Sequence, residues 1–163
     1  MQAETDSEHP APRLLTSPAQ LLAFGFGAGL SPKAPGTVGT VFAVALYLIF
    51  AHLPLWQYTL VVLASIPVGI WVCGVASRQL GVHDHPGIVW DEFSGYWITM
   101  WAVPAEWLWI IAGFATFRIF DIIKPWPIRV ADRRVGGGLG IMLDDIMAGL
   151  LACLTLHIAL ALL

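Results

Sequence analysis

The sequence predicts an all-α integral-membrane protein, a bundle of about four to five spanning helices arranged in hairpins behind a short N-terminal interfacial helix. Three observations carry that expectation. Hydrophobic residues make up 58% of the 163 and charged residues only 12%, where soluble domains run near half apolar and a quarter charged. Residues 34–77 contain no Asp, Glu, Lys or Arg over 44 positions, twice what one spanning helix of ~20 residues requires. All eight Lys and Arg also fall on one side of the topology that these runs imply. The same figures exclude a disordered or collagen-like chain, and a net charge of -3 excludes a basic nucleic-acid binder. Cys73 and Cys153 both lie in apolar runs, which speaks against a disulfide framework or a Cys-rich zinc site.

The elements follow in chain order. Residues 1–13 read as a disordered polar tail, acidic and lacking the basic start and apolar core of a signal peptide; residues 14–163 then form a single helical domain. Residues 14–32 are uncharged but hold Ser, Gln, Pro and three Gly, so a short interfacial or re-entrant helix is expected there. The long uncharged run divides at His52, Pro54 and Trp56 into helices over 38–53 and 56–76. Pro67 kinks the second, as neighbouring helices in lipid allow. Pro104 and Glu106 divide a second hairpin into 88–103 and 105–123, and 146–163 is the last apolar helix, interrupted only by His157. No internal repeat is evident.

Charge placement tests this arrangement. The two hairpins put residues 1–36, 78–92 and 118–145 on one side, with Arg13, Lys33, Arg78, Arg118, Lys124, Arg129, Arg133 and Arg134. The opposite turns carry no Lys or Arg, which assigns the charged segments to the cytoplasm. Trp56, Trp107 and Trp109 fall near the outer turns, Trp90 and Trp126 near the inner face. The alternative is a soluble bundle with an unusually apolar core.

Beyond the tail eight acids remain: Asp84, Asp91, Glu92, Glu106, Asp121, Asp132, Asp144 and Asp145. A carboxylate at the mouth of a membrane helix is costly unless paired, hydrated or metal-bound. Asp91 and Glu92 open the third helix and Asp144 and Asp145 the last. Each pair alone is explained by favourable placement in a helix's first turn, but two pairs from distant parts of the chain suit a shared Mg²⁺, a hard ion that takes oxygen ligands. Adjacent helical residues point about 100° apart, so each pair can aim one carboxylate inward. Arg118 and Asp121, spaced i, i+3, form either an ordinary ion pair or, with Lys124, the cationic side of a phosphate site. Pro125-Trp126-Pro127 ends that helix. Gly-rich stretches at 136–140 and at Gly36 and Gly39, beside Lys33 and Thr37, are turns or close backbone approaches to a phosphate. His83-Asp84-His85 has the wrong spacing for two imidazoles on one helical face but suits an extended loop; His52 and His157 read as structural.

Absences narrow the chemistry: there is no Cys-based phosphatase loop, no DxDx[TV] nucleophile, no spaced-aspartate run of the CDP-alcohol transferases, no P-loop, GxSxG or GxGxxG. Four blocks, GFGAGLSPKAPGTVG (25–39), VHDHPGIVWDEF (82–93), FRIFDIIKPWPIR (117–129) and GGLGIMLDDI (137–146), resemble in order and spacing the signature blocks of the phosphatidylglycerophosphatase A family over about residues 21–150. The resemblance implies a Mg²⁺-dependent lipid phosphatase of the bacterial inner membrane, multi-pass with its site facing the cytoplasm. The substrate would be phosphatidylglycerophosphate in the bilayer, with no nucleic acid and no obligatory protein partner. Asp91, Glu92, Asp144 and Asp145, with Asp121, would then hold the metal and do the catalysis. Lys33, Gly36, Thr37, Arg118 and Lys124 would bind the phosphate. Direct attack by water and an aspartyl-phosphate intermediate both remain open, and the competing class is a membrane cation transporter or ion-binding module using the same carboxylates.

Overall fold

The computed structural model describes residues 11–130 and 135–163, and every described element is helical. The tail at 1–10 and the segment 131–134, with Asp132, Arg133 and Arg134, lie outside the described residues. Helix α1, Pro18–Ala23, starts where Pro18 sets the first turn and the Ser17 hydroxyl accepts from the Gln20 N–H at 3.4 Å. A 3₁₀ segment, Gly25–Leu30, follows, so residues 14–32 do hold a short helix rather than a spanning one. Helix α2 is Pro35–Phe50, α3 Leu55–Leu80, α4 Trp90–Thr99, α5 Trp107–Ile123 and α6 Gly137–Leu162.

The expectation of four to five spanning helices is corrected here. Among the described residues two helices are long and apolar enough to cross a membrane, α3 and α6, while α2 is apolar but shorter. Helix α4 has ten residues, because its run stops at Thr99, ahead of a turn with Ala102 at φ 56° and of Pro104. Helix α5 carries Arg118 and Asp121 in its last two turns. In α3 and α6 only 39% and 28% of the most apolar window is buried, so most of that surface faces outward, as membrane-facing helices do and core helices of soluble proteins do not.

Helix α6 also begins earlier than expected, at Gly137 rather than near Ile146. Asp144 and Asp145 therefore stand in its third turn and not at its mouth. The Gly-rich stretch becomes helical because close packing needs those glycines: a Cβ on Gly138 would overlap the Ile70 carbonyl of α3. One on Gly149 would overlap the Gly95 carbonyl of α4, and one on Gly95 would run into Phe117 of α5 and the Asp145 carbonyl. Small residues at such seams let helix backbones meet. Helix α6 is thus the central post, packed on α4, α3 and α5, while α2 closes on α4 and α1 on α3. Away from the charged end, aromatic rings fill the core. Trp97 donates to the Ala43 carbonyl at 3.0 Å, the Tyr58 hydroxyl to the Trp97 carbonyl at 2.7 Å, and Phe50 meets Trp97 edge-on at 5.0 Å.

Candidate metal and phosphate site

Helices α4, α5 and α6 deliver the acids and cations to one end of the bundle, against α2. Asp91 and Glu92 occupy the first turn of α4, whose start is pinned by Val89 donating to the Ala23 carbonyl at 2.8 Å. Arg118 and Asp121 stand in the last turns of α5, and Lys124 caps it in the left-handed conformation at φ 45°. Asp144 and Asp145 come from α6. Being adjacent on a helix they diverge. Asp144 reaches Lys124, whose Nζ donates to its Oδ2 at 2.6 Å. Asp145, 2% exposed, turns towards α4.

Arg118 ties three of these helices together. Its Nη1 lies 2.5 Å from Asp121 Oδ2 and 3.8 Å from Glu92 Oε1, and donates at 3.5 Å to the Thr40 hydroxyl of α2. That hydroxyl donates in turn to the Gly36 carbonyl one turn back, at 2.9 Å. Gly36 itself faces the pair: a Cβ there would collide with Glu92 Oε1 and lie 3.3 Å from both terminal nitrogens of Arg118. The ion pair fits against α2 only because position 36 has no side chain.

Among the described residues, metal-ligand geometry is present twice. Asp91, Glu92 and Asp145 bring one ligand oxygen each to within 4.8 Å of one another, and so do Asp121, Asp144 and Asp145. Asp91 Oδ1, Glu92 Oε2 and Asp145 Oδ2 are buried with no hydrogen-bond partner among the described residues. Burying anionic oxygens without donors is costly, so these atoms fit a cation. In the short helix α4, burial pushes the Glu92 carboxyl up to about 8, with repulsion from Asp145 adding to it. Burial and then the charge of Glu92 raise Asp91 as well. The donor set is all oxygen, the kind of set that hard cations take.

Of the sequence-predicted site residues, the structure brings together Asp91, Glu92, Asp121, Asp144, Asp145, Arg118, Lys124 and Gly36. Lys33 lies exposed on the turn before α2 and Thr37 is half-buried; among the described residues no ion pair or side-chain hydrogen bond links either to the acids. His83 and His85 serve the loop. His83 Nε2 accepts from the Gly137 N–H at 2.9 Å, satisfying a donor at the start of α6, and His85 Nδ1 accepts from the Gly87 N–H at 3.0 Å. Thr40 is the residue that sequence reasoning missed; its signal is the i, i+4 spacing from Gly36, which places both on the same face of α2.

The model of the family described as phosphatidylglycerophosphatase A matches residues 21–160. The chain is 50% identical over 139 residues to phosphatidylglycerophosphatase A of Escherichia coli, covering 85% of this chain and 81% of that one. It is 44% identical over 140 residues to the Haemophilus influenzae protein of the same name, with 85% and 86% covered. A Bacteroides thetaiotaomicron protein provisionally named a phosphatidylinositol-3-phosphatase is 39% identical over 147 residues, with 85% and 91% covered. No solved structure matches the chain.

Proposed function

The chain belongs to the phosphatidylglycerophosphatase A family, and from that membership we infer that it hydrolyses the terminal phosphomonoester of phosphatidylglycerophosphate, releasing phosphatidylglycerol and inorganic phosphate. The single observation that supports this at the level of residues is the convergence of five carboxylates, Arg118 and Lys124 at one end of the bundle. Phosphate-monoester hydrolysis needs negative charge neutralised on the transferred group and a proton acceptor for the attacking water. Both are present together.

We propose Mg²⁺ as the cation, held by Asp91, Glu92, Asp144 and Asp145 with Asp121, whose unpartnered buried oxygens and all-oxygen chemistry suit it. When bound, Mg²⁺ supplies charge neutralisation on the phosphate and a lowered pKa for a nearby water. Arg118 offers the phosphate a planar fork and Lys124 a point charge. Both are held in the resting site by Asp121, Glu92 and Asp144, so the phosphate competes with carboxylates for donors that are already aimed inward. The first-turn amides of α2 at Gly36 and Thr37 add donors of the kind helix N-termini present. Lys33, out on the exposed turn, attracts the headgroup as it approaches. A carboxylate takes the proton of the attacking water and passes it to the glycerol oxygen as the bond from phosphorus to that oxygen breaks.

The two apolar helices support a membrane setting, and we propose a multi-pass chain of the bacterial inner membrane with this site, which holds Arg118 and Lys124, towards the cytoplasm. There the headgroup reaches the acids while the acyl chains stay in lipid. The cation-transport alternative finds no support in the relatives. Purified protein in detergent should release inorganic phosphate from phosphatidylglycerophosphate when Mg²⁺ is present and stop when it is chelated. No release under either condition would overturn the assignment.

A further inference from the structure

The five carboxylates do not form one set. They form two, Asp91–Glu92–Asp145 and Asp121–Asp144–Asp145, and Asp145 belongs to both. We propose that the site binds two divalent cations of unequal strength bridged by Asp145, and that the second enters by displacing Arg118 and Lys124 from Asp121 and Asp144. The inference rests on the reading above, in which these acids are cation ligands, and deepens it by dividing them between two sites.

The two sets differ in what already satisfies them. In the first, Asp91 Oδ1, Glu92 Oε2 and Asp145 Oδ2 have no hydrogen-bond partner among the described residues, on side chains of residues 9%, 8% and 2% exposed. The nearest protein cation, Arg118, lies 3.8 Å from the other oxygen of Glu92, so these three buried oxygens from two helices fit a metal ion. In the second, the protein's own cations stand in place: Arg118 Nη1 is 2.5 Å from Asp121 Oδ2, and Lys124 Nζ is 2.6 Å from Asp144 Oδ2. A metal entering there competes with an ammonium and a guanidinium, so it binds more weakly.

Formal charge shows what the second ion accomplishes. With all five carboxylates ionised, as binding a cation requires, they face two cationic side chains among the described residues and leave -3. One divalent ion leaves the site at -1, still repelling a phosphate; a second brings it to +1 and turns Arg118 and Lys124 loose towards the incoming anion. Two-metal phosphoryl-transfer sites hold their ions ~3.5–4 Å apart, a span that the two oxygens of one carboxylate bridge. Asp145 is the residue placed to do this, since α6 packs on both α4 and α5 and the Gly95–Gly149 contact presses it against α4.

The test counts ions without using turnover. The full chain in detergent is titrated with Mn²⁺, and bound Mn²⁺ is followed by electron paramagnetic resonance. Two ions per chain are expected, with affinities differing by about tenfold or more and a spectrum showing spin coupling between them. Asp121→Asn and Asp144→Asn should lose the weaker ion and keep the tighter; Asp91→Asn and Glu92→Gln should lose the tighter. Asp145→Asn should lose the coupling and weaken both, while Asp145→Glu retains a bridging carboxylate and keeps some coupling. Circular dichroism checks that each variant is folded. If Asp145→Asn does not fold, the opposite losses in the other variants decide the matter. A single Mn²⁺ at saturation, two uncoupled ions, or a coupled pair surviving in folded Asp145→Asn would overturn the proposal. A chain that releases phosphate but binds one ion sinks this inference alone; a chain that binds a coupled pair but releases no phosphate sinks the assigned function alone.

Discussion

Replacing Gly36 with alanine adds one methyl group, and the surroundings of that methyl allow its effects on stability and on turnover to be separated. The new Cβ would fall well inside contact distance of Glu92 Oε1 and 3.3 Å from both Arg118 terminal nitrogens. Ordinary contact begins near 3.5 Å, so the carboxylate must retreat by about 1 Å and the guanidinium by a few tenths. Gly36 is not among the positive-φ residues, and alanine in a helix is favoured over glycine by about 1 kcal/mol. Overpacking costs about 1–3 kcal/mol, and the difference predicts a net loss of ~0–2 kcal/mol, a fall in melting temperature of no more than about 8 °C at this chain length. Turnover should suffer far more, because a misplacement of ~1 Å in a catalytic constellation costs about 100-fold. The assay pairs phosphate release over a Mg²⁺ titration with a thermal melt of the same preparation. A Gly36→Ala chain that turns over at the wild-type rate would refute the claim that position 36 is vacant to admit the Glu92–Arg118 pair. A chain unfolded at the assay temperature would refute the stability figure.

Other outcomes follow from the same geometry. Asp144→Asn should abolish measurable turnover while the far-ultraviolet dichroism stays native, since the helix is held by its glycine seams and not by the Lys124 pair; full Mg²⁺-dependent activity would remove Asp144 from the site. Thr40→Val keeps the shape of a wholly buried side chain but deprives Arg118 of an acceptor. A loss of about 1 kcal/mol should appear as a roughly fivefold rise in KM, with Thr40→Ser restoring the wild-type value. Gly149→Ala would drive a methyl into the Gly95 carbonyl, backbone against backbone, where nothing can swing aside. It should cost about 3 kcal/mol or more by melting, well above the Gly36 substitution, and equal stabilities would show that the α4–α6 seam is looser than described.

How much of this the sequence already showed depended on the range of the interaction concerned. Pro35, Pro54, Glu106 and the Pro125-Trp126-Pro127 stop act on their own neighbours, so the helix boundaries around them are within a few residues of expectation. The acids and Arg118 were legible because charge is scarce in an apolar chain and each charge must answer to something. The start of α6 was not legible: glycine weakens a helix locally, and only the approach of Ile70 to Gly138 shows why this stretch is helical. That shift moved Asp144 and Asp145 from a helix mouth to its third turn. For the same reason the number of long apolar helices was overestimated, since hydropathy cannot tell a ten-residue helix followed by a turn from one continuous span. Thr40 carries no charge and sits in an apolar run, so nothing in the sequence marks it until the fold places it under a guanidinium.

The position of α6 has a consequence for biosynthesis. It is the last described helix to be made, and it supplies Asp144 and Asp145 to a set of partners laid down long before. A chain still being synthesised can bring Glu92, Arg118 and Asp121 together through α2, α4 and α5, but neither acid triplet closes without Asp145. Catalytic competence should therefore arrive in one step, when the last helix docks. Chains released before the last helix is made would lack phosphatase activity, because both triplets would lack Asp145.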